Sequence, residues 1–256
     1  MIKIAFFDVD GTLLDFETKS VSKNVVNALI QLQNNGVKII VATGRPPRVI
    51  PKIEGVNFDG YLTFNGAYCF VKEDIIYKNP IHPEDVQKVI KNGERIGRPV
   101  LLMCMDSNGA NGCDEDLKDY MWVSKQGVDI PDNFEEYSKQ DVFQIIVGAT
   151  KEEEKELVKD ADRVKMTSWW PRAGDIIPKD GGKGVAVKKM LDYFGYSKEE
   201  AIAFGDGTND VEMLEAVGCG VAMENATDAL KTVADAICPH VSEDGVVTYL
   251  KEVGLI

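Results

Sequence analysis

Short apolar runs alternating with amphipathic stretches constrain this chain more than any other feature of it. "IKIAFF" (residues 2–7), "VKIIVA" (37–42), "GYLTF" (60–64), "AIAFG" (201–205) and "GVAM" (220–223) carry almost no polar alternation. Each fits a strand buried on both faces. Helical patterns lie between them. Ser22 can N-cap a helix that carries Val25, Val26, Leu29 and Leu32 on one side and closes at Gly36. A second runs from about Lys183 through Val187, Met190, Leu191 and Phe194 to Gly195, and a third from Asp210 through Val211, Leu214 and Val217 to Gly218. Strands alternating with helices predict an α/β fold, a parallel sheet with helices on both faces. Ligands of such sheets bind at the carboxyl ends of the strands.

Composition narrows the function classes. With 256 residues, 44% hydrophobic and 28% charged, the chain can bury a sizeable core in one large domain or two modest ones. No run approaches the roughly 18 apolar residues of a membrane span, and "MIKIAFFDVD" meets an acid before a signal-peptide core could develop. A cytoplasmic protein without membrane association is expected. The five cysteines lack any CxxC pair, which points to buried free thiols and not to a disulfide framework or a zinc site. A net charge of -13 speaks against nucleic acid as a partner, so an anionic substrate would need a local cationic site.

The strand ends carry the chemistry. Asp8 and Asp10 leave the first strand, Thr43, Gly44 and Arg45 the second, Asn65 and Gly66 the third, and Asp206 to Asp210 a later one. Residues two apart in extended chain face the same side, so the carboxylates of Asp8 and Asp10 should share a cleft while Gly11 lets the chain turn away. Two acids that close either share a cation or push one pKa upward. Taken alone, "DVDG" could equally be two acids solvating a turn. Other cation and phosphate loops fail on spacing. Counted from Asp8, the glycine and glutamate places of a calcium loop hold Leu13 and Lys19. "GGKG" has Gly184 where a P-loop needs Ser or Thr, and "GDGTND" lacks the third glycine of a dinucleotide fingerprint.

"DVDGT" at Asp8, "ATGR" around Thr43, "GGKG" with Lys183 and "GDGTND" at Asp206 resemble, in this order, the four motifs of the haloacid dehalogenase-like superfamily of phosphatases. The whole looks most like its Cof-type sugar-phosphatase branch. The resemblance implies a Rossmann-like core and a magnesium-dependent phosphatase of small phosphorylated metabolites, with sugar phosphates the expected class. It implies Asp8 as nucleophile, forming an aspartyl-phosphate, and Asp10 as the acid and base that serves the leaving alcohol and then the attacking water. Thr43 and the Gly44 N–H would bind phosphoryl oxygens, Lys183 would neutralise them, and Asn209 would contact the phosphate. Magnesium would be held by the Asp8 carboxylate, the Asp10 backbone carbonyl and the Asp206 carboxylate, with Asp210 anchoring the motif or supporting the metal's ligands. Arg45 could meet substrate or a core acid. Singly these residues have plain alternatives: a strand end for Thr43, a solvated helix position for Lys183, an N-cap for Asp206 or Asp210. Phosphate-monoester hydrolysis is so slow uncatalysed that a constellation is required, since one donor supplies only about 3 to 4 kcal/mol.

From about residue 80 the pattern changes. A helix opening "HPEDVQKVI", strand-like "PVLLMCM" (99–105) and "VFQIIVGA" (142–149), a charged helix "KEEEKELVKD", then "RVKMTSWW" and "GDIIPKD" predict an inserted antiparallel sheet with helices on it. We therefore expect a catalytic core of residues 1–80 and 181–256 and an inserted α+β cap domain of residues 81–180, which by resemblance covers the catalytic face and sets substrate specificity. "TSWWPRAGD" (167–175) is the stretch best equipped to read a sugar, through Arg172 and stacking on Trp169 or Trp170, unless the tryptophans belong to the cap's own core. His82 and His240 are expected at caps or on the surface. Two rivals share the chemistry. A phosphosugar mutase or phosphotransferase would return the phosphoryl group to a sugar, and a phospho-acceptor signalling module would keep it. Asp10 and the insertion speak against the second. A small-molecule phosphate ester is the expected partner, and a monomer or weak homo-oligomer the expected state.

Overall fold

The computed structural model describes residues 1–123 and 126–256, the side chain of Trp169 excepted. It divides into two compact units, one of Met1–Arg45, Val49–Lys78 and Gly182–Ile256, the other of Asn79–Gly181 with Pro46–Arg48. No helix among the described residues is long and apolar enough to cross a membrane.

The first unit is built on the runs read as strands: β1 (Ile4–Phe7), β2 (Lys38–Ala42), β3 (Gly60–Thr63), β11 (Ala201–Gly205) and β12 (Cys219–Met223). With β4 (Tyr68–Val71), β5 (Asp74–Lys78) and β13 (Ala236–Cys238) they form one sheet in the order β13-β12-β11-β1-β2-β3-β4-β5. It is parallel from β13 to β3 and ends in an antiparallel hairpin, β4 and β5. β1 and β11 are buried at every position, and all of β1 pairs with Ala201 to Phe204, so the segments following the two strands emerge side by side. The hairpin was not expected. Its outer strand is mostly exposed, as an edge strand can be, and its turn passes through Lys72 at φ 52.

Helix α1 (Lys23–Asn34) starts where Ser22 Oγ accepts the Val25 N–H at 3.1 Å and buries Val25, Ala28, Leu29 and Leu32. Helix α6 (Lys183–Phe194) closes at Gly195 in the left-handed region. The helix expected from Asp210 opens instead with a 3-10 turn, Thr208–Asp210, and only Val211–Glu215 is α-helical (α7). Helices α8 (Asp228–Val233) and α9 (Gly245–Glu252) complete this unit.

The second unit holds an antiparallel sheet in the order β7-β6-β8-β10-β9, from β6 (Val100–Cys104), β7 (Asn108–Ala110), β8 (Val142–Val147), β9 (Val164–Trp170) and β10 (Ala173–Pro178). Its core joins Val100, Leu102, Ile145, Val147 and Ile176 to Val86, Val89 and Ile90 of α2 (Pro83–Ile96). Helices α3 (Glu115–Val123) and α4 (Phe134–Ser138) lie between β7 and β8. The charged helix expected at "KEEEKELVKD" shrinks to Glu154–Leu157 (α5), where Leu157 alone is buried and little apolar face exists to hold further turns. His82 and His240 both cap: their Nδ1 atoms accept the N–H of Glu84 and Ser242. All five cysteines are free; Cys69, Cys104 and Cys238 are buried, whereas Cys113 is exposed, contrary to the expectation of burial.

Candidate active site

The residues at the carboxyl ends of β1, β2, β3 and β11 meet one another, together with the first residue of α6. Asp8 follows β1 directly, and its N–H donates to Phe204 of β11 at 3.0 Å. Its side chain is buried, at 6% exposure. Lys183, at 1% exposure, brings its Nζ to Asp8 Oδ1 at 2.6 Å and to Asp210 Oδ1 at 2.5 Å. Asp210 turns its other oxygen to the N–H groups of Asp206 and Gly207, at 3.1 and 3.0 Å, and so ties the loop after β11 into shape. Carboxylate oxygens of Asp8, Asp206 and Asp210 all lie within 4.8 Å of one another.

Charge in so small a buried space perturbs Asp8, Asp206 and Lys183. Burial pushes the Asp8 carboxyl up to about 7; Lys183 opposes the rise, while Asp210 and Asp10 add to it. Asp206 is raised well above the ordinary carboxylate range by burial and then by the charges of Asp8 and Asp210. Burial works against the Lys183 ammonium, but Asp210 and Asp8 outweigh it and hold its pKa above that of a free lysine. Hard carboxylate oxygens that repel one another are the donor set a small divalent cation takes, because the cation relieves the repulsion that raises Asp8 and Asp206. These residues therefore fit such an ion.

Asp10 is held differently. The Arg45 guanidinium grips both its oxygens, Nε to Oδ2 at 2.8 Å and Nη2 to Oδ1 at 2.6 Å, the two-pronged geometry that suits a carboxylate. Arg45 thus meets an acid of the same unit, the second of its two sequence alternatives, and its Nη1 donates to the Val49 carbonyl at 3.3 Å. Burial opposes its charge and Asp10 more than restores it. Thr43, buried at 1%, accepts the Arg45 N–H on Oγ1 at 3.1 Å. Asn209 donates from Nδ2 to Asn65 Oδ1 at 3.0 Å. The sequence puts Asn65 at this sheet edge without giving it a role, and the signal for one is local: a short polar side chain followed by glycine directly after a buried strand. Thr12, also missed, is buried and donates from Oγ1 to Asp206 Oδ1 at 3.4 Å. In the second unit Arg172 is answered by Asp116 and, at 2.9 Å, by Asp119. The Trp169 side chain lies outside the described residues.

Gly11 shows how tightly the turn after β1 is drawn. It has φ +86, and a Cβ on it would sit 2.2 Å from Asp206 Oδ2 and 2.7 Å from the Phe16 ring. Gly11→Ala must displace Asp206 as well as strain the backbone. We expect it to lower activity by at least ~10²-fold, as misplacement of reacting groups by about 1 Å does, and to lower the melting temperature. Steady-state kinetics and thermal melts check this, and wild-type values in both would contradict it.

Residues 5–250 match the family of haloacid dehalogenase-like hydrolases. The 5-amino-6-(5-phospho-D-ribitylamino)uracil phosphatase YitU of Bacillus subtilis is 31% identical over 262 residues, covering 96% of this chain and 95% of YitU. A solved structure of a subclass IIB sugar phosphatase of this superfamily, BT4131, superposes with a TM-score of 0.92 at 34% identity, over 99% of this chain and all of the other. A further structure, described as showing a conserved trigonal-bipyramidal intermediate in a phosphoryl-transfer superfamily, superposes at 0.93 with 34% identity over the full length of both chains. Since the match runs through both units, and not the sheet alone, the chain belongs to the haloacid dehalogenase-like hydrolases and is a phosphatase.

Proposed function

We propose that the chain is a magnesium-dependent phosphatase of small phosphorylated metabolites, sugar phosphates foremost, that works through an aspartyl-phosphate on Asp8. The observation that carries the reading is the placement of a buried Asp8 carboxylate at the end of β1, 2.6 Å from a buried ammonium and grouped with Asp206 and Asp210. A likeness to a protein named a sugar phosphatase supports the substrate class. Asp8, Asp206 and the Asp10 carbonyl would hold the ion, with Asp210 bracing the loop. Bound there, magnesium supplies positive charge that lets an anionic nucleophile approach an anionic phosphoryl group.

An Asp8 oxygen attacks phosphorus, the ester P–O bond breaks, and the leaving oxygen takes the proton of the Asp10 carboxyl. Water then attacks phosphorus, its proton returns to Asp10, and the Asp8 O–P bond breaks to free inorganic phosphate. For Asp10 to carry a proton, the Arg45 fork has to release one of its two oxygens. Thr43, the Gly44 N–H, Asn209 and Lys183 hold the phosphoryl oxygens meanwhile. We assign the choice of substrate to residues 81–180. There Arg172 would have to exchange Asp116 and Asp119 for a substrate anion, which puts its engagement in competition with a pair already made.

The test is inorganic phosphate release from a panel of sugar phosphates, nucleotides and cofactor phosphates, with magnesium and with excess chelator. Release only with magnesium is expected; an isomerised sugar phosphate as product would make the chain a mutase. Thermal melts give an independent reading. Asp8, with a folded-state pKa of about 7 against 3.8 unfolded, holds its proton better when folded, so without an ion it costs stability as pH rises through that window. Magnesium binds the ionised form. At 100-fold excess over its dissociation constant it should add about 2.7 kcal/mol, roughly 5–10 °C, at pH 8 and distinctly less at pH 5. A melting temperature indifferent to magnesium at pH 8 would overturn the metal assignment.

A further inference from the structure

Three consecutive residues after β3 lie in the left-handed region: Phe64 at φ 50, Asn65 at φ 53 and Gly66 at φ 89. Only the glycine adopts this freely, and strained backbone that persists is held by its surroundings and concentrates at working sites. Here the surroundings are the catalytic loops. The Phe64 N–H donates to the Arg45 carbonyl at 3.1 Å and the Asn65 N–H to the Thr43 carbonyl at 3.0 Å, which clamps the turn onto the segment after β2. A Cβ on Gly66 would lie 2.5 Å from the Gly182 carbonyl oxygen and 2.8 Å from Ala186 Cβ, so the turn also rests against the first residues of α6, beside Lys183. From this turn the Asn65 side chain, 1% exposed, extends between Gly44 and Asn209. Its Oδ1 accepts the Asn209 Nδ2–H at 3.0 Å, and a Cβ on Gly44 would stand 3.2 Å from its amide nitrogen.

We infer that Asn65 is a positioning residue of the phosphate site. It fixes the amide of Asn209 and the backbone at Gly44, two groups that bind phosphoryl oxygens, relative to each other. Asn209 is half-buried on a 3-10 turn, and its amide can rotate unless something takes one of its polar atoms. The Asn65 carbonyl oxygen takes one of the two Nδ2 hydrogens, and so sets which way the amide faces and where its second hydrogen is offered to a phosphoryl oxygen. The left-handed backbone is what delivers that oxygen: in an extended conformation the same side chain would leave β3 toward one face of the sheet. Asn suits the place because it tolerates this backbone region better than other residues with side chains and carries an acceptor on the shortest possible arm.

This inference rests on the phosphatase reading of Asp8 and Asn209, and the experiment separates the two. Asn65→Gly removes the side chain and leaves a residue at ease with φ 53; Asn65→Ala removes the same amide but retains the backbone strain. Each is combined with Asn209→Ala, and the inhibition constant of inorganic phosphate, kcat, KM and the melting temperature are measured on the magnesium-loaded protein. Both Asn65 variants should weaken phosphate by about 5- to 10-fold, the range of a lost hydrogen-bonded orientation at a charged ligand. The Ala variant should melt lower than the Gly variant without binding phosphate less well. In the double variants the losses should fall well short of their product, because the Asn209 part of the Asn65 effect is already gone. Wild-type phosphate affinity in the Asn65 variants, losses that follow the melting temperature, or losses that multiply would each overturn the inference. Should Asp8→Asn retain turnover, it is the phosphatase reading that fails; an inactive Asp8→Asn beside unaffected Asn65 variants removes only the role of Asn65.

Discussion

Asp8→Asn is expected to abolish phosphate release, by at least ~10⁴-fold in kcat, while the protein keeps its fold. The amide has nearly the carboxylate's shape, so β1 and its pairing with β11 are untouched, and its Oδ1 can still accept from Lys183, which keeps Asp210 at 2.5 Å in any case. What disappears is the anionic oxygen that attacks phosphorus. Stability should shift little, and without magnesium above pH 7 it should rise, because the substitution removes a carboxylate that burial pushes up to about 7. Rapid-quench assays and thermal melts check both halves. Borohydride trapping should label wild-type protein at Asp8 during turnover and leave the variant unlabelled. Phosphate release near the wild-type rate would move the nucleophile elsewhere.

Lys183→Met should damage both activity and stability. Methionine fills much of the same volume without charge, so Asp8 and Asp210 remain buried, with no ammonium between them, in a site already crowded by the Asp206 carboxyl. Breaking a buried pair by removing one partner costs about 3–5 kcal/mol, here roughly 10 °C in melting temperature. The sign of the pH dependence follows from Asp8. Lys183 lowers its pKa, so losing the ammonium raises the folded-state value further above the unfolded 3.8. A carboxyl raised on folding loses stability as pH climbs from its unfolded toward its folded pKa. The variant should therefore come closer to wild type at pH 5 than at pH 8. Turnover should fall by at least ~10²-fold, since a charge that stabilises the transition state is gone. An unchanged melting temperature at pH 8 would show that the acids find another counter-charge.

Much of the fold could be read along the chain because buried parallel strands and capped helices are local signals. The runs at 2–7, 37–42, 60–64, 201–205 and 220–223 each fall on a strand, and the caps at Ser22 and Gly195 stand where their side chains and φ angles require. The β4–β5 hairpin leaves no such signal, because an edge strand with little cover needs no apolar run. The shortening of α5 and α7 leaves none either, since how many turns a helix keeps depends on what packs against it and not on its propensity alone.

What the sequence by itself determined was which chemistry could be present. Asp8, Asp10, Thr43, Lys183 and Asp206 stand at strand ends or a helix start, and a parallel sheet brings such ends to one edge whatever the length of chain between them. Tertiary structure alone decided who meets whom there. Lys183 and Asp8 are 175 residues apart, Asp10 and Arg45 35, and Asn65 and Asn209 144. Each of these side chains had more than one candidate partner of suitable chemistry. The physical reason is range: caps and apolar periodicity act over three or four residues, whereas a buried charge takes its partner, its orientation and its pKa from whatever the packing of β1, β2, β11 and α6 leaves within about 3 Å of it.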